Sequence, residues 1–349
     1  MIRLSTTVMT HPRRAEPARR LAEATGADLV VDPDPHGPPS ALRTAAVAWS
    51  RCPEGTTHHL VLQDDVWPSA HLRPAVERAL QRDPEQILAL YQNLASWNGA
   101  RARVAFLAGY SWLVPTLQDY FPTLAVVMPC AAAHLFAKHT EAFDPVRERD
   151  DDQVLARFLA QGGYRTAMSI PALVEHQELP SLSGYDHVGI RRSVCFQGDV
   201  PLAGERVLDG VPAWPMFVAR QSMLKAPSRL GRERWQVMTR SAHLRLVGLK
   251  WSQVRDAAGD AMSTVDLVER RSKSRRFLNE TWFAGHTLGW TLAQVGTASV
   301  TRDPLRDHAV RTYLEAGLCY QGPVDLWQPN FPALLDFTWQ AIEHGLRAG

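Results

Sequence analysis

The sequence predicts an α/β fold: a mostly parallel sheet with flanking helices over residues 1–200, followed by an α-rich region over 201–349. Three observations predict it. Short apolar runs alternate with segments whose apolar residues recur at helical spacing, the pattern of a parallel sheet covered on both faces. Acidic residues close two of those runs, at Asp32 and at Asp64-Asp65. After about residue 200 the alternation stops and longer helical stripes begin.

The elements follow in order. Ile2 to Met9 reads as a buried strand. Pro12 opens a helix over about 13–24, where a missing N–H is harmless. Ala27 to Val31 is a second strand, closed by Asp32-Pro33-Asp34, and His36-Gly37-Pro38-Pro39 is a loop. Leu42, Ala45, Ala46 and Trp49 form one helix face. His59 to Leu62 is a third strand, ending at Gln63-Asp64-Asp65. Ser69 caps a helix carrying Leu72, Ala75, Val76, Ala79 and Leu80. Ile87 to Leu90 and Leu124 to Met128 are further strands, and a helix follows around 131–143. Asp150-Asp151-Asp152 opens a helix with the apolar face Val154, Leu155, Phe158 and Leu159, which Gly162-Gly163 ends. Tyr164 to Ile170 is a strand, and Pro171 to His176 comes next. Gly- and Pro-rich loops run to Pro215. Helical periodicity then covers 264–278, 282–295 and 331–346.

The chain has 349 residues, which suits one large or two medium domains. A net charge of +2 gives no reason to expect a nucleic-acid partner. The four cysteines (Cys52, Cys130, Cys195 and Cys319) form no CxxC pair, and they read as buried or free thiols of a reducing compartment. The N-terminus lacks the pattern of a signal peptide, and no run approaches the ~18 apolar residues of a spanning helix. A cytoplasmic protein without an integral membrane segment is expected.

In open α/β sheets ligands bind beyond the carboxyl ends of the strands. Asp32, Asp64 and Asp65 stand there. Adjacent acids repel each other, so a pair calls for positive charge. A divalent cation with a diphosphate would supply it, and hard oxygen ligands suit Mg²⁺ or Mn²⁺. An Asx-turn with a helix cap is the plainer alternative. His176 follows a strand and, with a carboxylate, makes a Mn²⁺ ligand set; a structural histidine is the alternative. Asp150 to Asp152 favour the helix dipole, and one of them could also serve as a general base.

Four segments together carry a resemblance: Thr7-Val8-Met9-Thr10-His11-Pro12-Arg13-Arg14; Leu62-Gln63-Asp64-Asp65-Val66; Asp151-Asp152-Gln153-Val154-Leu155; and Leu173-Val174-Glu175-His176 with Ser181-Leu182-Ser183-Gly184. Over residues 1–190 the chain resembles GT-A glycosyltransferases, and is similar to bacterial enzymes with an (E/Q)DD motif of the lipopolysaccharide-modifying type. The resemblance implies a GT-A-like, Rossmann-like catalytic domain over 1–200. It implies a metal-dependent glycosyltransferase using a nucleotide-diphosphate sugar, a UDP-sugar by preference, and inverting the anomeric centre.

Carried over by position, Asp65 and His176 match metal ligands for Mn²⁺ or Mg²⁺. Thr7, Thr10, Asp32 and Asp64 fall where the nucleotide and sugar are held. Asp151 or Asp152 matches the base, with Asp152 preferred. The motif is Gln-Asp-Asp rather than Asp-x-Asp, so the number of carboxylate ligands stays open. Two other classes stay open as well: a metal-dependent nucleotidyltransferase or hydrolase, and a non-catalytic nucleotide-binding protein.

The region 201–349 is expected to be a helical accessory domain, for the acceptor or for homo-oligomer formation. Its basic run Glu269 to Arg276 reads as a solvated helix face or as a contact for an acidic partner. Trp282, Trp290, Trp327 and Trp339 read as core before they read as sugar-stacking rings.

Overall fold

A computed structural model describes every residue except 197, 199–201, 203, 212, 228–234, 247, 264, 266–271 and 320–328, and the side chains of 272–274. Trp327 and most of the basic run Glu269 to Arg276 therefore lie outside the described residues.

The elements run β1 (Leu4–Thr10), α1 (Ala15–Thr25), β2 (Asp28–Val31), α2 (Ala41–Ser50), β3 (His58–Gln63), β4 (Val66–Pro68), α3 (Leu72–Arg82), β5 (Ile87–Ala89), α4 (Trp97–Leu107), β6 (Trp112–Leu113), β7 (Ala125–Pro129), α5 (Cys130–Thr140), α6 (Asp151–Gly162), β8 (Thr166–Ser169), β9 (Val174–His176) and β10 (Val207–Leu208). They continue with β11 (Trp214–Val218), β12 (Gln221–Pro227), β13 (Trp235–Met238), α7 (Arg240–Leu246), α8 (Trp251–Met262), α9 (Ser272–Gln294), α10 (Pro304–Leu318) and α11 (Phe331–Ala348). Two compact units result. One comprises Met1–Gln92, Ser111–Asp186 and Phe196–Val207; the other comprises Asn93–Tyr110, His187–Cys195 and Leu208–Gly349.

The first unit is built on the sheet β10-β6-β8-β5-β7-β3-β1-β2. Strands β1, β2, β3, β5 and β8 point one way, and β6 and β7 run against them. The fold is thus α/β with most strands sharing one direction, as the alternation predicts. Strand β7 pairs antiparallel with both β3 and β5, a topology that apolar periodicity does not encode.

On one face of the sheet, Val8, Leu60, Leu62 and Val127 pack with Leu21 of α1 and with Val76 and Leu80 of α3. On the other face, Trp49 of α2, Phe136 of α5 and Phe158 of α6 stack edge to face or tilted, with centroids 5.3–6.3 Å apart, the geometry ring quadrupoles favour. Gly163 ends α6 in the left-handed conformation, with its N–H bonded to the carbonyl of Leu159, an αL cap that spares a side chain the strain.

One cysteine expectation is corrected. Cys52 and Cys130 form a disulfide with Cα atoms 5.8 Å apart, closing a separation of 78 residues. Cys52 follows α2 and Cys130 opens α5, and the packing of those two helices brings the thiols together. Cys195 and Cys319 are buried.

The second unit combines α4 and α7–α11 with an antiparallel sheet β11-β12-β13, which helical periodicity did not anticipate. Helix α9 is buried along 281–292 and packs on α11 through small residues. A Cβ on Gly289 would lie 1.9 Å from the Ile342 carbonyl oxygen, and one on Gly345 would lie 1.9 Å from that of His286. Trp282, Trp290 and Trp339 are buried in this core. Arg103 is buried as well: its Nε donates to the Ala309 carbonyl at 2.9 Å, and burial pushes its guanidinium down to about 10. No helix among the described residues is long and apolar enough to cross a membrane.

Candidate active site

The carboxyl ends of β1 and β3 lie side by side because those strands pair in parallel, with Met9 opposite Gln63. The chain leaves β3 through Asp64 and Asp65 and starts β4 at once. Both acids are buried, so each must find donors nearby. Thr10, the last residue of β1, donates its hydroxyl to Asp64 Oδ2 at 2.7 Å, and the His11 N–H reaches the same oxygen at 3.3 Å.

Arg14 bridges the pair. Its Nη1 lies 3.0 Å from Asp64 Oδ1 and 2.6 Å from Asp65 Oδ2, and its Nη2 donates to the Pro180 carbonyl at 2.7 Å. The 3₁₀ turn Pro12–Arg14 places Arg14 immediately before α1.

His176 arrives from the other end of the unit's sequence. Strands β4 and β9 form a two-stranded ribbon in which Val66 pairs with His176. The ring Nε2 then stands 3.4 Å from Asp65 Oδ2. The Glu178 N–H donates to His176 Nδ1 at 2.9 Å, so the proton of the neutral ring sits on Nε2, facing Asp65. Glu178 holds a positive φ of 52° to make that turn, a conformation uncommon outside glycine. The backbone of Gln177 donates to the Asp65 carbonyl at 2.8 Å, which ties the loop down.

The electrostatics separate the two acids. Burial pushes the Asp65 carboxyl up, but the His176 contact and the Arg14 guanidinium outweigh it and hold the group at about 2. Burial and the neighbouring Asp65 charge push Asp64 up, against Arg14 and the Thr10 hydroxyl. One Asp65 oxygen, Oδ1, is buried without a hydrogen-bond partner among the described residues.

The acidic helix start is tied to the same region. Gln63 Nε2 donates to Thr123 Oγ1 at 3.1 Å, and that hydroxyl donates to Asp151 Oδ1 at 3.1 Å. Asp150 is the N-cap residue of α6 and accepts from the Tyr185 hydroxyl at 2.8 Å. The loop 177–186 therefore meets Arg14 through Pro180 and Asp150 through Tyr185. Burial pushes Asp151 up to about 6, and burial with the charges of Asp151 and Asp150 pushes Asp152 up to about 7. Asp152 Oδ1 is buried with no hydrogen-bond partner among the described residues.

Asp32 and Thr7 stand differently. Asp32 follows β2, next to Thr10, whose carbonyl accepts its N–H at 2.8 Å. Its carboxylate is clamped by Arg43: Nε to Oδ1 at 2.8 Å and Nη2 to Oδ2 at 2.9 Å. Thr7 is buried within β1. It lies an odd number of positions before Thr10, so strand alternation turns the two side chains to opposite faces.

The residues as arranged do not fit a divalent cation. A metal shared by Asp64 Oδ1 and Asp65 Oδ2 would need a position about 2.1 Å from each oxygen, and the Arg14 Nη1 stands between them, 3.0 and 2.6 Å away. His176 turns a protonated nitrogen toward Asp65 rather than a lone pair. Among the described residues, no group of three His, Cys, Asp or Glu side chains is arranged to hold a metal.

Thr10, Asp64, Asp65, His176 and Asp150 to Asp152 thus belong to one linked set. Arg14, Thr123 and Tyr185 are members that sequence reasoning left without a role, as is Arg43 beside Asp32. One signal pointed to Arg14: a basic pair opening a helix opposes the helix dipole, which suggests that its charge serves acids elsewhere.

No family model matches the chain, and no curated protein does. Among solved structures, a mannose-1-phosphate geranyltransferase from Thermus thermophilus is similar, at 14% identity and a TM-score of 0.24. The match covers 48% of this chain and 58% of that one, so it spans less than two thirds of the neighbour. A likeness at that score carries no functional argument.

Proposed function

We propose that the first unit binds a nucleoside-diphosphate sugar, a UDP-sugar by preference, and transfers the sugar to an acceptor nucleophile. The observation that supports this reading is the link from the buried acid pair at the end of β3, through Gln63 and Thr123, to the acidic start of α6. Binding groups and a base would then share one end of the sheet, where α/β folds take ligands. In this reading Thr10, Asp64 and the Asp32–Arg43 pair flank the nucleotide. Asp152, held near neutrality, serves as base. Its carboxylate takes the proton of the acceptor hydroxyl while the oxygen forms a bond to the anomeric carbon. The bond from that carbon to the diphosphate breaks in the same displacement, which inverts the centre. The protein contributes mainly by positioning the two partners.

Thermal shifts with UDP-, GDP- and dTDP-sugars test the reading, since a ligand of the native state raises the melting temperature. A shift with one sugar nucleotide, followed by sugar transfer with release of the nucleoside diphosphate, supports it. Release of pyrophosphate would favour a nucleotidyltransferase instead. Binding without turnover would favour a binding protein.

A further inference from the structure

Arg14 presents a cation to both acids of the Gln-Asp-Asp motif, at 3.0 and 2.6 Å. That is the position where the motif leads one to expect a metal ion. The guanidinium is well placed to stay: its side chain is only 12% exposed, and a third bond anchors it to Pro180. Three of its five N–H donors are used, leaving one on Nη2 and the one on Nε with no partner among the described residues. A guanidinium matches phosphate oxygens through such paired donors.

We propose that Arg14 is the resident cation of the Asp64–Asp65 pair, and that it meets the diphosphate of the ligand in place of Mn²⁺ or Mg²⁺. The second half rests on the nucleotide-sugar reading above; the first half does not. His176 then acts on the other side of Asp65, holding the carboxylate in the orientation that grips Arg14. The two acids orient the guanidinium, and its remaining donors meet the phosphate oxygens.

Two measurements test this. The first is Mn²⁺ binding alone, followed by the electron spin resonance of the free ion, in wild type, Arg14→Lys and Arg14→Met. Wild type and Arg14→Lys should take up little. Arg14→Met should bind Mn²⁺ at least about tenfold more tightly, because the acids have lost their counter-charge. The second is UDP affinity by calorimetry. Wild type should bind equally in EDTA and in excess MnCl₂. Arg14→Met in EDTA should lose about tenfold or more, the scale of charged hydrogen bonds, with Arg14→Lys between them because an ammonium keeps charge without the fork. Wild-type UDP binding that vanishes in EDTA and returns with MnCl₂ would overturn the proposal. So would wild type taking up Mn²⁺ as well as Arg14→Met does. If UDP binds under neither condition, the nucleotide reading and the diphosphate half fall together, and the Mn²⁺ measurement alone decides whether Arg14 fills the cation position. The wild-type comparison needs no variant, so a misfolded Arg14→Met leaves the test in force.

Discussion

Val66 pairs with His176 across the β4–β9 ribbon, and this single register brings an imidazole to 3.4 Å from the Asp65 carboxylate. A shift of one residue would turn the ring to the other face of the ribbon. The pairing makes Asp65 the centre of the site, because Arg14 and His176 approach the same oxygen.

Asp65→Asn should therefore destabilise the chain by about 3–5 kcal/mol at neutral pH, the scale of a broken buried ion pair. The folded carboxyl is held at about 2, below its ordinary value of 3.8. Its stabilisation is thus present above the ordinary value and is lost as pH falls toward about 2. Urea melts across acidic pH check both points: the variant should show a smaller loss over that window than wild type.

Asp152 has the opposite sign. Its folded carboxyl stands at about 7 against an ordinary 3.8. The folded state keeps a proton that the unfolded state gives up, so this group costs stability progressively as pH rises through that interval. Asp152→Asn should raise the melting temperature at about pH 8 relative to wild type. It should also lower sugar transfer by about 10²-fold or more, the scale of general-base catalysis, with sugar-nucleotide affinity little changed. A variant that is both stabilised and fully active would separate the acid from the chemistry.

In the second unit, His243 is buried between Phe283 and Trp290, with ring centroids 5.5 and 5.2 Å away, and neither ring nitrogen has a partner among the described residues. Burial pushes it down to about 4, and burial with the neighbouring histidines pushes His286 down to about 3. Both must stay neutral in the folded state. Stability should fall as pH drops below 6.5, where the unfolded histidines take up protons. His243→Phe removes one such group and the unsatisfied nitrogens, so it should stabilise by about 1 kcal/mol. Its advantage should grow between about pH 8 and about pH 5. Thermal melts at the two pH values measure this.

The contact between α9 and α11 gives a paired test. Gly289→Ala places a Cβ 1.9 Å from a backbone oxygen of Ile342, so one helix must move, at a cost of about 1–3 kcal/mol or more. Gly259→Ala, in α8, meets nothing within 4 Å and should stabilise by up to about 1 kcal/mol through helix propensity. Equal effects of the two substitutions in chemical denaturation would contradict the close approach.

Much of the first unit was legible in the chain itself. Short apolar runs located β1, β3 and β5, and apolar stripes of period 3.6 located α3 and α6, to within a few residues, because strands covered on both faces are apolar throughout and a helix on a sheet is apolar along one stripe. The acids at 32, 64–65 and 150–152 stood out as well, since charge at the end of a buried run needs a reason. In the second unit α9 and α11 were legible, and α10 was not read. The strands β11 to β13 were not legible, because the buried residues of β11 and β12 fall in runs rather than in alternation.

The sequence by itself determined the α/β class, the order of most elements of the first unit and the residue types gathered at the strand ends. Only the tertiary structure decided which partners those residues have. It put β7 antiparallel between β3 and β5, joined Cys52 to Cys130, gave Asp32 to Arg43, and set Arg14 between Asp64 and Asp65. Periodicity reports how each segment meets the core, which is a local property. Side-chain contacts that join residues 11 to 166 positions apart depend on strand register and loop path, and those arise only when the elements pack.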